Sequence, residues 1–565
     1  MTANSLNTSS TTDLAYAERA SASDGGVGDG TRERWITRSS IGLVAVVAAG
    51  VLVFFAFDAL PFMDLPAHAG LMALRHRIAE SPFEQSLYVV APHVGPYSLF
   101  RGIGELLLHV TTPLGAVRVL GTLPIVATPA AMLFARLRLY GDRSSTYGHF
   151  AVVLSFGLMT VFGFASYLLG AAVALVALTL WLELLVGVDR GAPFFRKETL
   201  VVAAIAPIVF LAHGHAFLIF CFCAFIASIA TGQRLRRVLH LVAMGPAVML
   251  AGYSVLLDRV TAVGAVAQHP EMAPLFQGPA DKLSLLFTPT LTTRLGVDLG
   301  VGIALWGLAI AGTIATVRHL RAARTPALAS APPKAATAAD SHATALFACA
   351  AGLLVVFFVM PHEVGWFGFV DGRFVPMAML LTFVAIRREA LSPRLASTFH
   401  IAAPMLSCVA VAWMWFASVG FQREAQGYRE VFAAVPAQAR LLNLPIDPDS
   451  DIFAGHPFVH YDKLIMISRP IVPSDVWFHQ GTGIYPRSGN PALALPADYK
   501  SSTIRHITWE RFRLTDWDYA LVRTRPNATA PETPKELGLV MHQGGWWLYR
   551  SNVAVPQLPP SQPAE

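Results

Sequence analysis

Two carboxylates and a histidine stand where the first long apolar run gives out. They are Asp58, Asp64 and His68, in the stretch DALPFMDLPAHAGLMALRHR, residues 58–77. Side chains of these types move protons or hold a cation. Asp64 and His68 are four apart, so a helix beginning near Pro66 brings them to one side. A simpler role fits the same spacing: Asp before a Pro in the first turn is a common helix start, with Asp64 as the cap. Leu71, Leu74 and Ile78 then recur at helical spacing with Arg75, His76 and Arg77 between them. That pattern predicts a short helix lying along a membrane surface.

A second set lies further on. His213-Gly214-His215 interrupts a long apolar run, and His362, Glu363, Asp371 and Arg373 surround another outer loop. His93 and Arg101 add to it, as does the polar loop 258–295. Ionisable groups inside or at the edge of apolar runs are costly, so they point to function. On a regular helix, residues two apart diverge by about 200°. His213 and His215 face one cavity only if the helix breaks at Gly214. A His-x-His pair beside carboxylates suits a divalent metal, and Arg373 suits an anion such as a phosphate. The plainer alternatives are a histidine bonded to a neighbouring helix and an arginine reaching for the interface.

The elements that must position these groups are membrane helices. The chain has 565 residues, 54% hydrophobic and 14% charged, where soluble domains carry about 25% charged residues. We expect a mainly α, polytopic membrane protein of about 11 spans with a small C-terminal α/β domain. The net charge of +6 sits in short loops between apolar runs, and no nucleic-acid groove is indicated. The four cysteines lie inside apolar runs and read as core residues. Residues 1–40 read as a disordered cytoplasmic tail and 41–419 as the multi-span domain. Within the latter, 58–96 is a large first outer loop and 318–342 a basic cytoplasmic linker. Residues 420–565 form an extracytoplasmic domain. Arg32, Arg34 and Arg38 before the first span hold the N-terminus inside. The stretch 97–112 is too short for a span and lies along or dips into the membrane. The runs 149–187 and 199–230 are over-long; the first breaks near 163–166, and the second is one steep helix or two short ones. A helix over 422–442 leads into the last domain, where YALVR (519–523) and WWLY (546–549) read as strands around a Gly544-Gly545 turn.

This arrangement resembles the GT-C superfamily of polytopic glycosyltransferases, which use polyprenyl-phosphate-linked sugars. The segments MDLPAHAGLMALR, FGFASYLLGAAVALVALTLW, LAHGHAFLIF and GRFVPMAMLLTF are similar to a loosely characterised bacterial branch, as are the closing WDYALVRT and GGWWLYR. The resemblance implies an inverting transfer at the outer face of a bacterial-type inner membrane. It makes Asp64, with Asp58 as runner-up, the first-loop acid that acts as base or binds acceptor or metal, with His68 beside it. It makes Arg101, His213, His215, His362, Glu363 and Arg373 candidates for the lipid-linked sugar donor. The resemblance fixes no cofactor and leaves room for a divalent metal, and the oligomeric state stays open. The pair Trp546-Trp547 is followed by Leu548, not by the Asp-Tyr-Gly of oligosaccharyltransferases, so a peptide acceptor is not indicated. Two other readings stay open: a lipid or glycan transporter or flippase, and a non-catalytic membrane scaffold whose outer domain binds a partner.

Overall fold

The computed structural model describes residues 29–553, apart from 91–93, 192, 195, 233, 262–272, 325–336, 366, 475–481, 488, 497–498 and 503. Most of the tail expected over 1–40, His93, and parts of the 258–295 loop and the 318–342 linker lie outside the described residues. Among the described residues, six segments are long and apolar enough to cross a membrane: Pro113–Tyr140, Ala165–Asp189, Arg234–Leu257, Val297–Ala322, Ala338–Val359 and Pro393–Ala425. Three shorter apolar helices, Ser40–Ala56, Gly214–Ala230 and Phe374–Ala385, stand beside them. This is an integral membrane protein. At about 1.5 Å per residue Gly214–Ala230 and Phe374–Ala385 fall below the roughly 30 Å hydrocarbon thickness, while Ser40–Ala56 is the apolar part of a longer helix, Asp29–Ala56.

Local sequence sets the ends of the helices that matter here. They are α1 (Asp29–Ala56), α2 (Leu65–Arg77), α3 (Ser98–Leu107), α4 (Pro113–Tyr140), α5 (Thr146–Ser155), α6 (Ala165–Asp189), α7 (Lys197–Ala212), α8 (Gly214–Ala230), α9 (Ala338–Val359), α10 (Phe374–Ala385), α11 (Pro393–Ala425) and α12 (Lys463–Ser468). Helix α4 starts at Pro113 behind Thr112, whose side chain accepts from the Gly115 N–H, and ends at Gly141 in the left-handed region. Helix α9 starts in a Thr337/Asp340 capping box. The apolar stretch 149–187 is broken: α5 stops at Ser155, one turn covers Leu158–Val161, and Gly163 turns the chain at φ 79° before α6. The stretch 199–230 is two helices, α7 and α8, which meet at His213 and pack on each other.

Ion pairs gather at the other end of the bundle from that junction. Arg136 pairs with Asp142 at 2.6 Å and also donates to the Val384 carbonyl, Arg138 pairs with Glu183 at 2.7 Å, and Arg387 with Asp340 at 2.8 Å. Arg237 pairs with Asp189 there.

The C-terminal region carries a five-stranded sheet. Its strands are β2 (Arg440–Pro445), β3 (Val472–Pro473), β5 (Tyr519–Arg523), β6 (Leu537–Gln543) and β7 (Trp546–Ser551), in the order β3-β2-β5-β7-β6. β2 is parallel to β3 and β5; the pairs β5–β7 and β7–β6 are antiparallel. Alternation along the strands buries both faces. Leu441 and Leu521 join the apolar cluster shared with α1 and α2, while Leu442, Leu444, Ala520 and Val522 pack with Trp509, Trp517 and Trp547. The helix expected over 422–442 does not form. Helix α11 stops at Ala425, Gly427 takes φ 89° against the Gln543 carbonyl, and a short helix precedes β2.

The loop 58–96 and the C-terminal region are bound together. β1 (Tyr88–Val90) pairs antiparallel with β4 (Ile484–Pro486). Gln422 exchanges two hydrogen bonds with the Ala59 backbone, at 3.0 and 2.8 Å. Helix α2 packs along α12, and Gly70 leaves room for the Lys463 carbonyl. Here the expected surface helix is corrected: residues 65–67 and 69–74 of α2 are buried. Leu71 and Leu74 lie with Ala67 and Gly70 on one face, and Ala69 and Met72 bury the opposite one. Helix α3, in the stretch 97–112, buries Phe100 and Gly104 and exposes Leu106. At ten residues it is about 15 Å long, too short to cross.

Candidate functional site

Asp64 is fixed by its backbone. The Met63 N–H donates to the Val161 carbonyl at 2.8 Å and the Asp64 N–H to the Phe162 carbonyl at 3.1 Å. Gly163 makes this approach feasible: besides its positive φ, a Cβ there would lie 2.8 Å from the Asp64 nitrogen. The capping role is not observed: the Asp64 side chain makes no hydrogen bond to the helix it precedes, although it lies at the position before Leu65. The Asp64 residue as a whole is buried, at 8% exposed.

Tyr97, Arg373 and the histidine pair gather around it. Tyr97 precedes α3 with φ 69°, a strained conformation for a bulky residue. Strain of this kind concentrates at functional sites; Phe369, at φ 54°, stacks on Phe162 just beyond. The Tyr97 ring meets His213 edge-on at 5.0 Å. Burial pushes its phenol above the usual range; Arg373 opposes that and Asp64 adds to it, so both charges act on one hydroxyl. Arg373 lies immediately before α10, its guanidinium 4.5 Å from the Phe164 ring and 5.9 Å from that of Tyr167. Its Nη2 donates to the Gly368 carbonyl at 3.1 Å, and its carbonyl accepts from the Tyr167 hydroxyl. Its Nε is buried without a protein partner among the described residues.

The α7–α8 junction sets the histidines. His213 is extended (φ −166°, ψ 127°), which ends α7 and opens α8. Its Nδ1 accepts from the His215 N–H at 3.1 Å, so the imidazole serves as N-cap of α8. In the neutral ring that bond leaves the proton on Nε2, which makes Nε2–H a donor. Gly214 admits Pro96, whose Cγ would lie 3.2 Å from a Cβ there. His215 contacts Tyr167 and Phe374, with its Nε2 buried and unpartnered among the described residues. Arg373 is near enough to both imidazoles to act on them electrostatically.

The other sequence candidates are placed around this cluster or away from it. His68 lies one turn into α2 against Phe100, and burial pushes its imidazole down to about 4, which keeps it neutral at pH 7. Arg101 and Arg75 both reach the Thr482 carbonyl, and Arg75 also pairs with Glu105 at 2.9 Å. Asp58 is turned away: it forms an exposed ion pair with Arg429 at 2.7 Å. His362 donates its Nδ1–H to Asp371 at 2.8 Å, and Lys282 donates to the other Asp371 oxygen and to the Phe357 and Met360 carbonyls. Burial would raise the Asp371 carboxyl, but its bonds to His362 and Lys282 hold it below the usual range. This buried triad secures the turn two residues before Arg373. Glu363 faces Lys500 at 3.9 Å instead. As for a metal, no three of His, Cys, Asp or Glu come together among the described residues.

Four contributors carried no sequence signal: Tyr97, Tyr167, Lys282 and His460. The last places its Nε2 3.8 Å from Asp64 Oδ1.

No family model matches the chain, and no curated protein does. The structural neighbours are an archaeal oligosaccharyltransferase and a mycobacterial arabinofuranosyltransferase. The first, from Archaeoglobus fulgidus, aligns in its apo form at 11% identity over 86% of this chain and 69% of the other, with TM-score 0.43. Its complex with Zn and sulfate aligns at 12% over 85% and 68%, with TM-score 0.42. The arabinofuranosyltransferase AftD aligns at 12% over 90% of this chain and 40% of that one, with TM-score 0.43.

Proposed function

We propose that this chain is an inverting membrane glycosyltransferase that moves a sugar from a polyprenyl-phosphate donor to an acceptor hydroxyl. The reaction takes place at the outer face of a bacterial-type inner membrane, with the N-terminus cytoplasmic, about eleven spans and the C-terminal region outside. The observation that carries this reading is the cluster of buried Asp64, Arg373 and His213 with half-buried Tyr97 among them. It sets one carboxylate against several donors, as displacement at an anomeric carbon requires. Asp64 takes the acceptor's proton as the acceptor oxygen bonds to the anomeric carbon. The bond from that carbon to the phosphate oxygen breaks, and the phosphate leaves with the electron pair. Arg373, with its unpartnered Nε, and the Nε2–H of His213 meet the charge that develops there.

The test is turnover of polyprenyl-phosphate-linked sugars by the purified protein, with Asp64→Asn as the comparison. We expect the substitution to lower turnover by about 100-fold or more. Equal turnover in the two proteins would remove Asp64 from the mechanism. A transporter draws support from the same break at His213; it would move the donor across vesicles without cleaving it, which the same assay separates.

A further inference from the structure

Asp64 has a neighbour from nearly 400 residues along the chain. His460 Nε2 lies 3.8 Å from Asp64 Oδ1, and the two side chains are 8% and 11% exposed. That is an ion-pair separation, longer than a direct hydrogen bond. The segment around His460 is held from both sides. The Tyr461 hydroxyl donates to the Leu60 carbonyl at 2.8 Å, four residues before Asp64. Asn443, on β2, donates to the Val459 carbonyl at 3.2 Å and to Asp462 at 3.0 Å, and Lys463 pairs with Asp462 at 2.9 Å. Both ends of the Asp64–His460 contact are therefore fixed, one by the loop 58–96 and one by the C-terminal sheet. Among the described residues, His460, Tyr97 and Arg373 are charged or titratable groups that act around the carboxylate.

Burial by itself favours a protonated carboxyl, and a protonated carboxyl cannot act as a base. An imidazolium within 4 Å reverses that preference. We propose that His460 is a positioning residue for Asp64, keeping its carboxylate ionised and aimed, so that the site is complete only with the C-terminal region docked. The role of Asp64 as base rests on the glycosyltransfer reading; the pairing itself does not.

The experiment reads the Asp64 protonation state directly. A carbodiimide with an amine modifies the protonated carboxyl, and the labelled Asp64 peptide is quantified by mass spectrometry across pH 3–8. The full-length protein, His460→Gln, His460→Asn and His460→Lys are compared, with Asp64→Asn as the blank. A positive charge on His460 beside the carboxylate would favour its ionised form and so lower the labelling midpoint. We expect the midpoint to rise by about one pH unit in the Gln and Asn variants and to stay low in the Lys variant. The acid limb of kcat/KM should move with it, through kcat and not KM. An unmoved midpoint in whichever neutral variant elutes as the wild type does would overturn the pairing. A shifted midpoint in a protein that turns over no lipid-linked sugar would uphold the pairing and overturn the glycosyltransfer reading instead.

Discussion

At the scale of the residue, Arg373 differs from an ordinary interfacial arginine in what holds it. Its guanidinium is wedged against Phe164, anchored through Nη2 to Gly368, and 6% exposed, so it does not reach out for solvent. A planar fork held in one plane offers its remaining N–H groups in a fixed direction, which a flexible ammonium does not. Arg373→Lys is therefore expected to lower kcat/KM by about tenfold or more, roughly 1.4 kcal/mol of transition-state stabilisation. Steady-state kinetics at saturating acceptor checks this; equal constants would assign the arginine to packing alone. Arg373, His213 and Asp64 were legible in the sequence because an ionisable group stands out against an apolar background. Tyr97 and Tyr167 were not, because aromatic residues belong in that background. Lys282 gave no signal because its reason for being buried, Asp371, lies 89 residues away. Asp58 was legible and misleading: it has the type and the loop, but Arg429 pairs with it at the surface.

At the scale of the element, the α7–α8 junction combines two tasks in one side chain. His213 caps α8 through Nδ1 and presents Nε2 to the cluster. The two tasks separate by substitution. Asn is among the best N-caps, while Ala is among the poorest. His213→Ala should cost about 1 kcal/mol of stability and also turnover, whereas His213→Asn should keep the stability and still lose turnover. Thermal unfolding in detergent, read beside the activity assay, distinguishes them; equal losses of stability would mean the imidazole does not cap. The breaks at Gly163 and His213 were visible because the apolar runs were too long and each contained a glycine. The burial of α2 was not. Small residues such as Ala69 and Gly70 read as neutral in sequence, and Gly70 acts by letting the Lys463 backbone come close.

At the scale of the whole molecule, the site is assembled from parts that no local pattern connects. Asp64 comes from the first loop, Arg373 from the loop before α10, the histidines from the α7–α8 turn, and His460 from beside the sheet. The sequence carried the division into a helical part and a small C-terminal sheet, since apolar runs give way to a mixed composition near residue 420. It did not carry the docking of one on the other, which depends on pairs such as Tyr461–Leu60 and Gly70–Lys463. Gly70 offers a way to disturb that docking alone. A Cβ there would lie 3.0 Å from the Lys463 carbonyl and 3.1 Å from Met466 Sδ, and the first of these is backbone that cannot swing aside. Gly70→Leu should force α2 and α12 apart at a cost of about 1–3 kcal/mol. Turnover should fall as Asp64 and His460 separate, and limited proteolysis should release the C-terminal region faster. Gly42→Leu on α1, where a Cβ would meet nothing within 4 Å, serves as the neutral comparison. If Gly70→Leu matched it in both measurements, the interface would tolerate the added volume, and the site would not depend on close docking of the two parts.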